Sequence, residues 1–222
     1  MLERKVVVGP FQCNCRILVC PNTGHAMVLD PGDESQKILR EIEKAEADLK
    51  KKIQVKYLMH THGHLDHIAA TKDLKAKLGA EAVIAIHGDD EPLYQQLKMQ
   101  AGLFGLPYGD PDPIEKRIEH EERITLGDLK LDVVHTPGHS PGSVCLRLHQ
   151  DSATGASEKL YTGDTLFYLS VGRTDLWGAD GDLMFKMIRS RILTLDGDTK
   201  VCPGHGPDST IGTEKKQNPF LS

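Results

Sequence analysis

The sequence HTHGHLDH at residues 60–67 carries four imidazoles and one carboxylate within eight positions. A lone histidine is usually an ordinary core or surface residue, but this density is more than such positions explain. Three more candidate ligands follow turns marked by glycine or proline: His139 in TPGHS, Asp164 in TGDT and His205 in PGHG. With four residues of the first stretch they predict a metal site. The predicted ligands are His62, His64, Asp66, His67, His139, Asp164 and His205.

The residues on either side of this stretch predict that it forms a strand-to-helix turn. Residues 55–59 have the composition of a buried strand, and residues 68–78 have the apolar spacing of a helix. In open α/β sheets, ligands bind at such turns, at the carboxyl ends of the strands. The other candidate ligands also follow predicted strands, so their turns can converge on one edge.

The rest of the pattern predicts two β-rich halves that each carry helices. Ser35 is the expected N-cap of the first long helix, and the Gly- and Pro-rich residues 102–113 form a loop that we expect to overhang the site. The first three expected strands, 6–8, 17–20 and 27–29, form an antiparallel meander. The other expected strands are 55–59, 83–87, 123–126, 129–135, 143–148, 159–161 and 201–202. One expected helix begins at Ser35, and three more cover 68–78, 89–100 and 182–195.

These elements predict an α/β fold, a four-layer sandwich of two mixed β-sheets with helices on the outer faces. The length of 222 residues and a hydrophobic content of 39% suit a single domain over residues 1–222. The last segment, residues 210–222, is too polar to form a domain of its own.

Composition and charge exclude several classes of function. A formal net charge of −5 argues against nucleic-acid binding, which requires clustered cations, so the expected partner is a small molecule. There is no apolar run of membrane-spanning length and no secretory signal at the N-terminus, so we expect a cytoplasmic protein. The odd number of cysteines does not suggest a disulfide framework, and we expect buried free thiols. These are Cys13, Cys15, Cys20, Cys145 and Cys202.

The spacing of the predicted ligands indicates two metal ions. In His-x-His two neighbouring imidazoles can face one ion, while the aspartate and histidine that follow can face a second. Nitrogen and carboxylate ligands without thiolate favour zinc, iron or manganese, and we expect two divalent ions, with zinc first. One ion would be held by His62, His64 and His139 and the other by Asp66, His67 and His205, with Asp164 bridging them.

Such a pair of ions predicts hydrolysis. Two metals about 3.5–4 Å apart can share a water and lower its pKa from about 15.7 towards 7, which gives a metal-bridging hydroxide at neutral pH. Asp66 would orient that hydroxide through its second carboxylate oxygen, so Asp66 and Asp164 are the predicted catalytic residues. Neither coordination sphere would be closed by protein, as is typical of catalytic sites.

The other histidines have ordinary interpretations. His60 also forms a His-x-His step with His62, but only the register that begins at His62 places Asp66 and His67 in the paired positions. We therefore place His60 at the end of the strand. The remaining five are expected to be core or surface residues. They are His25, His87, His120, His135 and His149.

With these residues in hand, the chain resembles the metallo-β-lactamase-fold superfamily, whose signature T-H-x-H-x-D-H matches residues 61–67. The dipeptides that end in His139, Asp164 and His205 resemble its later ligand motifs in the same order. The LDPG sequence at residues 29–32 resembles its early turn. Members of this superfamily hydrolyse thioesters, lactams, lactones and phosphodiesters, and some are redox enzymes.

Within that superfamily, three segments resemble the short, glyoxalase II-like proteins: GDTLF at 163–167, GRTD at 172–175, and GHGP at 204–207 followed by NPF at 218–220. The resemblance implies hydrolysis of S-acylglutathione thioesters such as S-lactoylglutathione. The longer glyoxalases carry a C-terminal helical domain that supplies glutathione contacts, and we expect none here.

Arg173 is the predicted substrate-binding residue. Where the longer glyoxalases have a lysine and a nearby tyrosine that contact glutathione, this sequence has Arg173 and Asp175. Arg173 can pair with a glycyl carboxylate, whereas Asp175 cannot replace a phenol. The alternative is that Arg173 fixes its own loop through an ion pair with Asp175 or Asp180.

A second interpretation comes from a different class of enzyme. The GRTD segment is also similar to that of the persulfide dioxygenases, mononuclear iron enzymes of the same fold that oxidise glutathione persulfide. That resemblance implies an iron site made of His62, His139 and Asp164. The β-lactamases of the superfamily are secreted, and this sequence shows no export signal.

Overall fold

Alternate residues of the central strands pack into different layers of the core. In the computed structural model, which describes residues 1–221, Ile17 and Val19 belong to one apolar cluster and Leu18 belongs to another. This follows from the two-residue period of side chains along a strand. The strand Cys13–Val19 is buried at every position because both of its faces are covered.

Two six-stranded sheets and one two-stranded sheet form within residues 1–221. The strands are β1 (Leu2–Val8), β2 (Cys13–Val19), β3 (His25–Leu29), β4 (Gln54–Met59), β5 (Val83–His87), β6 (Lys116–Ile118), β7 (Arg123–Leu126), β8 (Leu129–His135), β9 (Val144–Leu148), β10 (Lys159–Gly163), β11 (Leu166–Phe167), β12 (Ser170–Val171), β13 (Lys200–Pro203) and β14 (Ser209–Thr210).

Both large sheets are mixed. The first has the order β1-β2-β3-β4-β5-β6, antiparallel through β3 and parallel from β3 to β6. The second has the order β14-β13-β10-β9-β8-β7, in which only β10 and β13 pair in parallel. Strands β11 and β12 form the small antiparallel sheet.

Among the helices of residues 1–221, none combines the length and the apolar composition that crossing a lipid bilayer requires. A 3₁₀ turn over residues 88–90 precedes α4, and a π-helical turn over residues 188–192 follows α6. The helices are α1 (Ser35–Leu49), α2 (Leu65–Ile68), α3 (Thr71–Leu78), α4 (Glu91–Gln95), α5 (Leu97–Leu103), α6 (Gly181–Met187) and α7 (Ile211–Gln217).

Three apolar clusters separate the four layers. The first joins one face of the first sheet to α1, α3 and α5. The second lies between the two sheets, and the third joins the other face of the second sheet to α6 and α7. The predicted four-layer sandwich is therefore confirmed. All five cysteines are free and buried in it, as expected.

The predicted ligands follow strands whose carboxyl ends lie on one edge of each sheet. Strands β8 and β10 are both antiparallel to β9, and β13 is parallel to β10, so these three strands run in one direction. The histidine-rich turn follows β4, which is parallel to β3. His139, Asp164 and His205 come after β8, β10 and β13, respectively.

Ser35 is not the N-cap that the sequence predicted. The capping position is Glu34, which has a left-handed conformation with φ of 49° and makes no side-chain cap. The helix begins one residue earlier than expected, so Ser35 is its first residue. Its hydroxyl is 3.5 Å from the carboxylate of Asp73 in α3.

Three predicted helices are interrupted. Residues 65–78 form α2 and α3 rather than one helix from residue 68, and residues 89–100 fall into the 3₁₀ turn, α4 and most of α5. The helix predicted over 182–195 begins at Gly181, is capped by the carboxylate of Asp180, and continues as the π-helical turn. In each case apolar spacing predicted the buried face, but it could not locate the breaks, which depend on packing against the other layers.

An ion cluster links the first sheet to the second. The buried guanidinium of Arg16 in β2 donates to Glu3 of β1 at 2.6 Å and pairs with Asp208. Glu3 also accepts hydrogen bonds from Lys159 and from the hydroxyl of Tyr161, both in β10. Burial raises the pKa of Glu3, but Lys159 and Arg16 outweigh that effect and hold it below its ordinary value of 4.5.

We expect Glu3→Gln to lower the free energy of unfolding by about 3 kcal/mol, because it leaves Lys159 without its carboxylate and the buried Arg16 with only one of its two. Since the pKa of Glu3 is lowered in the folded state, its contribution is present above pH 4.5 and is lost as the pH falls through the folded pKa. The deficit of the variant should therefore shrink in acid. Urea unfolding at several pH values measures it.

The control is Glu81→Gln, which removes the exposed ion pair of Glu81 with Lys56, at 3.1 Å. It should cost less than about 1 kcal/mol. Equal effects of the two substitutions would contradict the assignment of Glu3 as the hub of a buried cluster.

Candidate metal centre

The seven predicted ligands meet in one place. They form three overlapping groups, and the candidate ligand atoms within each group lie within 4.8 Å of one another. Four separate turns supply these side chains, as the sequence predicted. The groups are His62, His64 and His139; His62, His67 and Asp164; and Asp66, His67 and His205.

In three of the imidazoles, one ring nitrogen contacts a group outside the cluster and the other nitrogen faces the cluster. Nδ1 of His139 lies 2.8 Å from the carbonyl oxygen of Arg173, and Nδ1 of His67 lies 3.2 Å from Asp30. Nδ1 of His62 lies 3.1 Å from the hydroxyl of Thr61. A nitrogen whose ring partner donates in this way keeps a lone pair, which is the form that binds a metal.

Facing nitrogens of different rings lie about 3 Å apart, and a hydrogen bond between His62 and His139 would require one of them to give up the Nδ1 proton that it donates elsewhere. Nε2 of His139 is 2.9 Å from Nδ1 of His64 and 3.2 Å from Nε2 of His62. Nε2 of His67 is 3.2 Å from Nε2 of His205. Two nitrogens bound to one tetrahedral zinc ion are about 3.4 Å apart. The spacing therefore fits a cation between the rings.

Asp164 lies between the two groups of imidazoles. Its Oδ1 atom is 3.3 Å from Nε2 of His67, and its Oδ2 atom is 3.5 Å from His205 and 3.8 Å from His139. Oδ1 is buried and has no hydrogen-bond partner of acceptable geometry. An orphaned carboxylate oxygen is costly in a protein interior unless a cation compensates it, so the donor set fits a metal here as well.

Burial and mutual repulsion keep two of the imidazoles neutral. Burial first, and then the neighbouring His139, lowers the pKa of His64 to about 3. Burial also lowers the pKa of His62 far below its ordinary value. Neutral imidazole is the ligating form, so these two side chains are ready to bind at neutral pH.

The side of the cluster that carries carboxylates has the opposite electrostatics. Burial lowers the pKa of His205, but Asp66 and Asp164 raise it by more. The pKa of His67 is also raised, because Cys13 and the carboxylates around it outweigh burial. The carboxylates thus favour positive charge at these nitrogens, which is what a divalent cation supplies.

Two glycines let the backbone approach the cluster closely. A Cβ atom on Gly204 would lie 2.4 Å from Oδ1 of Asp164 and 2.7 Å from Cε1 of His67. A Cβ atom on Gly32 would lie 1.6 Å from the carbonyl oxygen of Asp66. Any side chain at either position would displace a predicted ligand.

Asp30 fixes the position of the histidine-rich turn. Its carboxylate accepts hydrogen bonds from the backbone N–H and the hydroxyl of Thr61, at 2.7 and 2.9 Å, and its Oδ2 atom faces His67. The sequence indicated only that residues 29–32 form a turn. The role of Asp30 could not be read from it, because the partners lie more than 30 residues away.

Asp90 ties two of the ligand loops together. Its buried carboxylate accepts hydrogen bonds from the backbone N–H of Gly63 at 2.7 Å, the hydroxyl of Ser140 at 2.7 Å and the N–H of Gly142 at 2.6 Å. Nearby, the side-chain oxygen of Gln100 accepts from the N–H of Leu65. Sequence reasoning missed both roles; the one available signal was that Asp90 follows β5, next to the strand that carries the ligands.

The six histidines that were not predicted to bind metal lie outside these three groups. Both ring nitrogens of His60 are within 3.3 Å of other groups, the carbonyl of His67 and the hydroxyl of Thr71. His87 and His135 do form a further group with Asp89. Their rings are stacked at an angle of 14°, so their lone pairs lie in nearly parallel planes and do not converge on one ion.

The cluster forms the floor of a cavity of about 480 Å³, to which His64, Asp66, His139, Asp164 and His205 contribute. Arg173 also lines this cavity, as do Leu103 and Phe104 at the start of the loop that the sequence predicted to overhang the site. The guanidinium of Arg173 donates to both carboxylate oxygens of Asp175, at 2.7 and 2.8 Å. A volume of this size is typical of small-molecule sites.

Comparison with known proteins agrees with this geometry. The model of the metallo-beta-lactamase superfamily matches residues 8–205. The chain belongs to the metallo-beta-lactamase superfamily. Membership of this superfamily implies divalent metal binding and, at the level of the class, a metal-dependent hydrolase.

Several members of the superfamily are similar over their whole length. The protein is 34% identical to hydroxyacylglutathione hydrolase GloC of Haemophilus influenzae, over 98% of this chain and 96% of the relative. It is 34% identical to TTHA1623, whose crystal structure is in a di-iron-bound form, with a TM-score of 0.81 over 98% of this chain and 100% of that one. The B3 metallo-beta-lactamase BLEG-1 is 30% identical with a TM-score of 0.84, and the match covers 100% of both chains.

We expect Asp90→Asn to weaken metal binding by about 10- to 100-fold, as loss of a residue that orients metal ligands does. The new amide nitrogen would face the N–H of Gly63 or Gly142 and loosen both ligand loops. Titration with zinc in a competing chelator measures the affinity.

Asp89→Asn is the matched control, because Asp89 is the exposed neighbour of Asp90 and does not contact those loops. Its affinity for zinc should equal that of the wild type. Wild-type affinity in Asp90→Asn would show that the loops hold their positions without this carboxylate.

Proposed function

We propose that this protein is a binuclear metal-dependent thioesterase of the glyoxalase II-like branch, which hydrolyses S-acylglutathione thioesters such as S-lactoylglutathione. One metal would be held by His62, His64 and His139, and the other by Asp66, His67 and His205, with Asp164 shared between them. The wall of the cavity would hold the substrate above these side chains.

The position of Asp164 is the observation that carries the proposal. One carboxylate oxygen is nearest to His67, while the other faces His139 of the first group and His205 of the second. A site for a single ion held by His62, His139 and Asp164 leaves four of the seven side chains without a role in coordination, whereas two adjacent ions use all seven.

In the proposed reaction the oxygen of water joins the carbonyl carbon, the bond from that carbon to sulfur breaks, and the products are a carboxylic acid and a thiol. Bound divalent ions would supply an acidified water and a Lewis acid for the carbonyl oxygen. The Oδ2 atom of Asp66 lies 3.1 Å from Nε2 of His205 and 3.6 Å from Nε2 of His67. Its Oδ1 atom would therefore accept a hydrogen bond from the attacking water.

Among the described residues that line the cavity, Asp66 and Asp164 are the only carboxylic acids, and a thioester suits such a site. The leaving thiol has an ordinary pKa of about 8.5, so it departs as a thiolate without a dedicated proton donor. An amide or a phosphodiester would need more help with its leaving group. The name of the Haemophilus influenzae relative, hydroxyacylglutathione hydrolase, supports the same class of substrate.

The ligand chemistry is compatible with more than one metal. Imidazole and carboxylate accept zinc, iron and manganese, and the di-iron form of TTHA1623 is an example in a similar chain. We propose zinc as the usual metal. The five buried free thiols support a reducing compartment, and we propose the cytoplasm.

Elemental analysis of purified protein should find close to two divalent metals per chain, and that protein should hydrolyse S-lactoylglutathione. Asp164→Ala should lose both metals together with the activity, because its carboxylate serves both ions. Glu81→Gln, at an exposed position away from the cavity, should retain both.

The dioxygenase interpretation makes the opposite prediction. A single iron per chain, with oxygen consumed on addition of glutathione persulfide and no thioester hydrolysis, would replace the proposed function. In that case His62, His139 and Asp164 would be the ligands, and substitution of His205 would leave the iron in place.

We expect Arg173→Ala to raise the KM for S-lactoylglutathione by about two- to fivefold with little change in kcat, because an exposed ion pair contributes up to about 1 kcal/mol. Arg117→Ala is the control, since Arg117 makes a similar two-point ion pair with Glu91 outside the cavity. Unchanged steady-state kinetics in Arg173→Ala would limit this residue to fixing its loop through Asp175.

A further inference from the structure

Large apolar side chains are exposed mainly around the cavity. Among residues 1–221, nine large hydrophobic side chains are exposed, and six of them line it. Single exposed apolar residues are ordinary, but a contiguous group beside a polar site marks a binding surface. The six are Phe11, Met99, Leu103, Phe104, Leu176 and Trp177.

Most of these side chains form one wall. Met99, Leu103 and Phe104 lie on or just after α5, and Phe11 lies in the turn between β1 and β2. The rings of Phe11 and Phe104 pack edge to face with centroids 5.0 Å apart. We call these four residues the apolar wall. Leu103 is 77% exposed and Phe104 59% exposed, so the wall presents apolar area that nothing in the fold covers.

The charges in the cavity do not match a substrate that is polar at both ends. Apart from the histidines of the cluster, Arg173 is the one cation that lines the cavity among the described residues, and it is paired with Asp175. A glutathione moiety carries two carboxylates and one ammonium group. Arg173 therefore offers one contact to the glutathione part of the substrate. The apolar wall offers no polar side chain to the acyl group.

We propose that the apolar wall binds the acyl group of the thioester and makes the protein selective for aliphatic or aromatic acyl groups over small hydroxyacyl groups. This inference rests on the proposed function and specifies its substrate class. The wall borders the same cavity floor as His64 and Asp66, so an acyl chain whose carbonyl lies above the cluster would lie along the wall. Burial of that chain would remove apolar area of both partners from water.

The first test compares S-hexanoylglutathione with S-lactoylglutathione on metal-loaded protein. Each methylene group fully removed from water contributes roughly a fourfold factor, so we expect kcat/KM for the hexanoyl substrate to be at least about tenfold higher. Phe104→Ser combined with Leu103→Ser should reduce this ratio to about threefold or less. Phe104→Leu, which keeps an apolar side chain, should retain most of it.

Phe220→Ser is the matched control, because Phe220 is 52% exposed but does not line the cavity. Its ratio should equal that of the wild type. A ratio near one in the wild type, or a ratio that the double substitution leaves unchanged, would overturn the inference while thioester hydrolysis stands.

The second test does not depend on turnover. Trp177 is the only tryptophan in the chain and lies in the cavity, so its fluorescence reports binding there. S-hexylglutathione, a thioether that cannot be hydrolysed, should bind at least about tenfold more tightly than S-methylglutathione. Equal affinities would overturn the inference. If no thioester were hydrolysed, the proposed function would fail, and this titration would still decide whether the wall binds an apolar chain.

Discussion

Two buried carboxylates that are not themselves predicted ligands, Asp30 and Asp90, hold the candidate site together. Asp30 binds the turn after β4 and faces His67, while Asp90 joins that turn to the loop that carries His139. Imidazole lone pairs about 3 Å apart repel one another unless a cation lies between them. These backbone contacts keep the rings in place, and a bound cation would turn that repulsion into binding energy.

The rest of the fold brings the loops to these carboxylates. Two mixed sheets face each other, and the strands that precede the ligand turns end at one edge. The ion cluster of Arg16, Glu3 and Lys159 links the two sheets without involving a predicted ligand. Glycines at 32 and 204 let the backbone come close enough for the side chains to meet. The site is thus a product of sheet geometry rather than of one local motif.

The layers and the position of the site could be predicted because both depend on local patterns. Short apolar runs bounded by Gly and Pro, and the change to helical spacing at Ser35, predicted the layers, and each ligand turn immediately follows a strand. The contacts of Asp30, Asp90 and Gln100 could not be predicted, since their partners lie tens of residues away in the sequence. The same holds for the breaks at α2 and α4 and for the N-cap at Glu34. The apolar wall joins Phe11 to Phe104, a pair that no local spacing indicates.

The central claim is that four turns hold two metal ions side by side. Anomalous diffraction from a crystal of metal-loaded protein, collected on both sides of the absorption edge of the metal, tests it most directly. The account predicts two anomalous peaks, one enclosed by His62, His64 and His139 and the other by Asp66, His67 and His205, with the carboxylate of Asp164 between them. A single peak, or peaks away from these side chains, would contradict it.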